Sequence, residues 1–109
     1  MEYIKLIYDK QIIENDRNVL NGKELDIYLP DMRIGIEFDG TFWHADPRFY
    51  EENCLIGYRF AKDIWQRDKE KDILCESYGI RLIRIKEYDW RNNRDMVKTE
   101  LLNIIKTDI

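Results

Sequence analysis

At 109 residues the chain has room for one hydrophobic core and is too short for two. Its 44% hydrophobic and 37% charged residues exclude a disordered tail, no apolar run approaches the ~20 residues that span a bilayer, and the N-terminus lacks the basic flank and apolar stretch of a secretory leader. Two cysteines without C-x-x-C spacing, Cys54 and Cys75, are too few for a structural zinc site and read as small apolar fillers in a reducing cytosol.

In chain order, residues 2–8 read as the end of a helix that starts further upstream, with Ile4, Leu6, Ile7 and Tyr8 apolar. Ile12–Ile13 forms a short strand, and Glu14–Asn18 and Asn21–Gly22 are polar turn material. Two strands follow, Glu24–Leu29 and Arg33–Phe38, joined by Pro30-Asp31-Met32. A loop runs from Asp39 to about Tyr50. A helix of about 20 residues spans Gly57 to Tyr78 and stops at Gly79, which suits a C-cap. Ile80–Lys86 is apolar and β-branched, so it reads as a buried strand. The last helix carries Met96, Val97, Leu101, Leu102, Ile104 and Ile105. The order α, β, β, β, α, β, α predicts a mixed α/β domain.

Charge is divided along the chain. The net of −4 argues against a nucleic-acid partner taken alone. Residues 1–56, however, hold 6 Lys and Arg against 12 Asp and Glu, whereas residues 57–98 hold 11 against 8. An acidic front and a basic back suit a protein that holds cations in one place and phosphates in another, although surface charge is more often plain solvation.

The hairpin is the most informative segment. Pairing Leu29 with Ile34 sets Ile27 against Ile36 and Leu25 against Phe38, three apolar pairs on one side. The same register sets Asp26 opposite Glu37, and Glu24 opposite Asp39, on the other side. Two carboxylates about 5 Å apart repel by roughly 3 kcal/mol at an effective dielectric of about 20, more than a cross-strand pair contributes. A hard divalent cation reverses that sign; a splayed, solvated acidic face is the plainer alternative.

Next comes Asp39-Gly40-Thr41-Phe42-Trp43-His44, with the chain's one histidine. An imidazole titrating near neutrality is apt for taking a proton from water. Phe42 and Trp43 fit either a core or a base-stacking role. On the long helix, Phe60, Ala61, Ile64, Cys75 and Tyr78 share a stripe that also contains Asp68 and Lys71. Charges on an inward face need partners: either each other at i, i+3, or a site in which Asp68 orients His44 and Lys71 reaches the metal or a phosphate. Arg59, Lys62, Arg67 and Lys69 would contact phosphates.

These residues resemble a known group. Asp26 and, eleven residues on, Glu37 resemble the acidic anchors of the PD-(D/E)xK nuclease superfamily. The run Gly40-Thr41-Phe42-Trp43-His44, with Arg67-Asp68 ahead of Gly79 and Ile80–Ile85, resembles very-short-patch repair endonucleases. It resembles more closely the phage intron-encoded homing endonucleases with an E-D-x-H-D signature. The similarity covers about Ile12 to Trp90.

The resemblance implies a restriction-endonuclease-like α/β fold with a mixed central sheet flanked by helices. Residues 1–109 would be one catalytic domain of a larger protein with a separate DNA-binding region. It implies Mg²⁺ (Mn²⁺ substituting) held by Asp26, Glu37 and the Phe38 carbonyl, with His44 as general base hydrogen-bonded to Asp68. Phe42 and Trp43 would sit against or in double-stranded DNA, in the cytoplasm of a bacterial host. Three departures stand out. Leu25 replaces the proline. Asp39 occupies the place of the superfamily lysine, leaving that role to His44 or Lys71, and stands where the repair enzymes carry a further histidine. The signature's first glutamate is Glu2 or lies upstream. Absence of the repair branch's zinc ligands favours the homing branch. A mismatch-type nickase and a non-catalytic DNA-binding module are the alternatives.

Overall fold

The computed structural model describes residues 2–107. They form a mixed α/β domain: a four-stranded sheet, a two-stranded ribbon and four helices. Helix α1 (Glu2–Ile7) is followed by strands β1 (Ile13–Leu20), β2 (Lys23–Leu29) and β3 (Ile34–Asp39). The ribbon β4 (Leu55–Ile56) and β5 (Arg59–Phe60) precedes helix α2 (Ala61–Ser77), strand β6 (Arg81–Lys86) and helices α3 (Glu87–Asn92) and α4 (Arg94–Thr107). Sheet order is β1-β2-β3-β6, antiparallel except between β3 and β6. Parallel neighbours need a long crossover, and α2 supplies it.

The expected hairpin register holds where apolar side chains fix it: Leu29 pairs with Ile34 and Ile27 with Ile36. These four join Ile4, Ile85, Val97, Leu101 and Ile105 in a core cluster beneath α1 and α4. Beyond Ile27 the expectation fails. Leu25 does not face Phe38; it turns into a second cluster with Leu20, Tyr28, Cys75 and Ile80 under α2. Gly35 leaves room for it, since a Cβ there would lie 3.1 Å from Leu25 Cδ1. Phe38 is left partly exposed.

Three elements differ from expectation. Glu14–Asn18 is strand, not turn: it belongs to edge strand β1, where only Asp16 and Leu20 are buried. An edge strand tolerates polar residues because water takes its outer face. Asn15 adopts φ +53° and the register shifts between Asp16 and Leu20, where the Asp16 carboxylate accepts from Val19 N–H at 3.0 Å. The long helix starts at Ala61, not Gly57, because Gly57-Tyr58 turns the β4–β5 ribbon with Gly57 at φ +63°. The short helix α3 intervenes before α4.

The C-cap of α2 is Tyr78, one residue before the expected Gly79, which follows in the left-handed region (φ +71°); there Ile80 N–H reaches Cys75 O and Gly79 N–H reaches Glu76 O. Both cysteines are free thiols, Cys75 fully buried. No helix among the described residues is long and apolar enough to cross a membrane.

Candidate active site

Strand β3 presents Glu37 and Asp39 two residues apart, hence on one face of the sheet and about 6–7 Å from each other. Lys71 and Asp68, one turn apart on α2, come down onto that face from above. Arg84 of β6 pairs in register with Glu37. Five charged groups thus meet where the sheet and α2 close on each other.

At the first group, the β2–β3 ladder ends at Ile27 and Ile36, and side chains take over from the backbone. Asp26 N–H donates to Glu37 Oε2 at 3.3 Å, and Phe38 N–H donates to Asp26 Oδ2 at 2.7 Å. The expected neighbours therefore do lie side by side, each anchored by the other's strand. The Lys71 ammonium ion-pairs with Glu37 Oε1. Glu37 is only 5% exposed, and its carboxyl is pushed up to about 7 by burial and then by Asp26, against the pull of Lys71. One lysine does not offset burial together with a second carboxylate.

The second group is built differently. His44 Nδ1 lies 3.0 Å from Asp68 Oδ2 and 3.6 Å from Asp39 Oδ1. Burial raises the Asp68 carboxyl, but the His44 hydrogen bond and the charges of His44 and Arg84 hold it below its ordinary value. As an ionised acceptor it takes a hydrogen bond from Nδ1–H, which in the neutral imidazole leaves Nε2 with a free lone pair. The same hydrogen bond raises the imidazole above its ordinary value near 6.5. Arg84 completes the group: Nη1 reaches both Asp39 oxygens at 3.1 and 3.2 Å, while Nη2 reaches Asp68 O at 3.1 Å and Asp72 Oδ1 at 2.8 Å.

His44 sits on a loop held at several points. His44 N–H donates to Gly40 O and Asp46 N–H to Thr41 O, with Ala45 at φ +48°. Trp65 Nε1 donates to Ala45 O at 2.6 Å from α2. From α3, Glu87 accepts from Thr41 N–H at 2.9 Å, and Asp89 binds the Arg48 guanidinium, which also clamps the buried Asp46. Arg48 lies over the Tyr88 ring as well.

In front of these groups lies a cleft of about 710 Å³, lined by His44, Asp68 and Lys71 and by Trp43, Arg59 and Arg67. Of the expected DNA contacts, Arg59 and Arg67 line this cleft; Lys62 instead lies over the Phe60 ring, and Lys69 is exposed outside the lining. Phe42 meets Trp43 edge-on at 4.9 Å and Tyr50 at 6.2 Å, with both Phe42 and Trp43 exposed. Glu2 stands apart: it is exposed on α1, its ion pair is with Lys5, and Ile4 ties that helix to the α4 side of the sheet. Arg84 was missed because Ile80–Lys86 reads as an apolar strand. A charge in the middle of a strand taken as buried was the available signal, since it demands a partner.

One group of three donors among the described residues has the spacing of metal ligands, and Asp26 with Glu37 forms a separate carboxylate pair. The ligand atoms of Asp39, His44 and Asp68 lie within 4.8 Å of one another. Arg84 already supplies positive charge there and holds both Asp39 oxygens, so a metal ion in this set would have to compete with the guanidinium. Asp26 and Glu37 set hard carboxylate donors side by side, with Glu37 pushed up to about 7 first by burial and then by Asp26. No known protein family, curated protein or solved structure matches the chain.

Proposed function

We propose that this chain is a Mg²⁺-dependent DNA endonuclease domain of restriction-endonuclease-like fold, of the homing-endonuclease type related to very-short-patch repair enzymes. It would act on phosphodiester bonds of DNA as one part of a larger bacterial or phage protein. The observation that carries the reading is the convergence of Asp26, Glu37 and Lys71 with a His44–Asp68 pair beside one cationic cleft. Two acids and a lysine form the charge pattern the superfamily resemblance calls for, with the lysine delivered from α2 instead of β3.

Asp26 and Glu37 would hold the ion, which when bound supplies charge stabilisation at a phosphoryl oxygen. His44, with Nδ1 committed to Asp68, keeps Nε2 available to take a proton from the attacking water. Asp68 fixes the tautomer and stabilises the imidazolium that results. Lys71 places a cation beside the carboxylates, where negative charge grows on the reacting phosphate. Arg84 neutralises Asp39, so that the histidine is not flanked by two uncompensated acids.

A binding-only module is the second reading, favoured by the Lys71–Glu37 ion pair, which leaves Glu37 partly neutralised without any metal. Plasmid cleavage separates the two. The enzyme reading expects Mg²⁺-dependent nicking or linearisation that falls roughly 10³-fold in Asp26→Ala with the fold retained. Absence of cleavage with either Mg²⁺ or Mn²⁺, or undiminished activity in Asp26→Ala, would sink it.

A further inference from the structure

We infer that the cleft beside His44 is a binding site for an unpaired nucleic-acid strand, with Tyr58 and Trp43 as its stacking platform. The inference rests on the nuclease reading for its choice of DNA and goes beyond it in naming the substrate as locally opened or single-stranded.

Tyr58 carries the argument. It stands at the tip of the β4–β5 ribbon, is 103% exposed, and lines the cleft. Its ring packs against nothing, so burial in the core does not account for an aromatic residue there. Trp43, 70% exposed, forms the adjoining wall. Its indole lies against the ribbon turn, with Cζ3 3.9 Å from the position a Gly57 Cβ would take. Gly57 lets the ribbon turn pass close to the Trp43 indole and supplies the left-handed backbone that the turn requires. Two large exposed rings at one cleft form a surface of the kind that stacks on bases.

The charge is complementary to a strand of phosphates. Lys23 at the start of β2, Arg59 on the ribbon and Arg67 on α2 surround the cleft, and none of the three carries an ion pair among the described residues. Arg17, also in the lining, is engaged by Glu24. Free cations around exposed rings are the arrangement that tracks a single strand, with stacking to the bases and ionic contacts to the backbone.

Stacking then selects against an intact duplex. The cleft of about 710 Å³ has room for a nucleotide or two against its exposed rings. In a duplex the faces of the bases are already covered by their neighbours, and exposing one means breaking stacking and pairing. Exposed rings along the wall and rim of the cleft therefore meet most readily bases that are already unstacked.

Fluorescence anisotropy in EDTA tests this without cleavage, using a fluorescein-labelled oligothymidylate and a blunt duplex of equal length at matched salt. The single strand is expected to bind about tenfold or more tightly than the duplex, Tyr58→Ala to lose roughly tenfold of that affinity, and Tyr58→Phe to bind as the unaltered protein does. Lys23→Ala and Arg59→Ala should each flatten the salt dependence for the single strand by about 0.7 in slope. Equal or tighter duplex binding, no binding of either, or undiminished single-strand affinity in Tyr58→Ala overturns the inference. Strand binding that persists in a protein without metal-dependent cleavage would uphold the cleft and remove the nuclease reading. Asp26-dependent cleavage with no Tyr58 effect on strand binding would do the opposite.

Discussion

Two carboxylate groups stand side by side on this sheet, and they are neutralised in different ways. Asp39 and Asp68 share an arginine that uses its full fork, bonding both oxygens of one acid, the main chain of the other and Asp72 besides. Asp26 and Glu37 have one lysine, which reaches Glu37 alone, and Glu37 is pushed up to about 7. Planar, permanently charged guanidinium satisfies several acceptors at once, whereas ammonium is a point charge. The arginine-filled group is thus complete as it stands and serves to hold His44. The lysine-bearing group sets two carboxylates against one ammonium, with Glu37 raised chiefly by burial, and a divalent cation bound there would favour the ionised form of both acids. The number of acids at a site says less than how their charge is already balanced.

The sharpest way to break this contrast is to remove the arginine. Arg84→Ala leaves Asp39, 4% exposed, as an uncompensated buried charge and is expected to cost about 3–5 kcal/mol in chemical denaturation. A loss under about 1 kcal/mol would mean that the second group does not depend on Arg84. Next in size is Asp68→Asn, for which cleavage should fall roughly 10–100-fold. Its pH profile is more telling than its rate. His44 must be neutral to accept a proton, and the Asp68 hydrogen bond raises its pKa, so activity in the unaltered protein should rise with pH through a value above 6.5. Removing the main cause of that rise should carry the limb to lower pH. An unmoved limb would show that His44 is not the titrating base. The same sign governs stability: the His44–Asp68 contribution is full below about 6.5 and fades as pH rises through the folded-state value. Smallest is Arg48→Ala, which loosens the clamp between Asp46 and Asp89 and should slow cleavage by roughly tenfold or less while leaving metal binding intact. Lost metal affinity in that variant would place the loop in the wrong group.

How far the sequence foretold this follows from which residues carry period and which do not. Leu29, Ile27, Ile34 and Ile36 alternate strictly, and burial on one face leaves them a single register, so the hairpin was legible. Asp26 and Glu37 followed as its dependants. Leu25 did not, because the carboxylates interrupt the ladder and Gly35 opens a hole on the other side. Strand β1 was hidden, since an edge strand made of Glu14, Asn15, Asp16, Arg17 and Asn18 shows no apolar alternation and its Asn15 has a turn-like φ. The ribbon was hidden within a helical pattern, because two-residue strands are too short to show a period. At the site, Asp68 and Lys71 were visible as charges on an inward helix face. Arg84 was masked by Ile83 and Ile85 on either side, and Tyr58 by its place at the apparent start of a helix. Long-range partners such as Asp89 with Arg48 leave no local trace at all.

A Mn²⁺ titration followed by electron paramagnetic resonance bears most directly on the contrast between the two groups. Binding in the unaltered protein should vanish in Asp26→Asn and survive in Asp39→Asn. Survival in Asp26→Asn together with loss in Asp39→Asn would assign the ion to the histidine group and contradict this account.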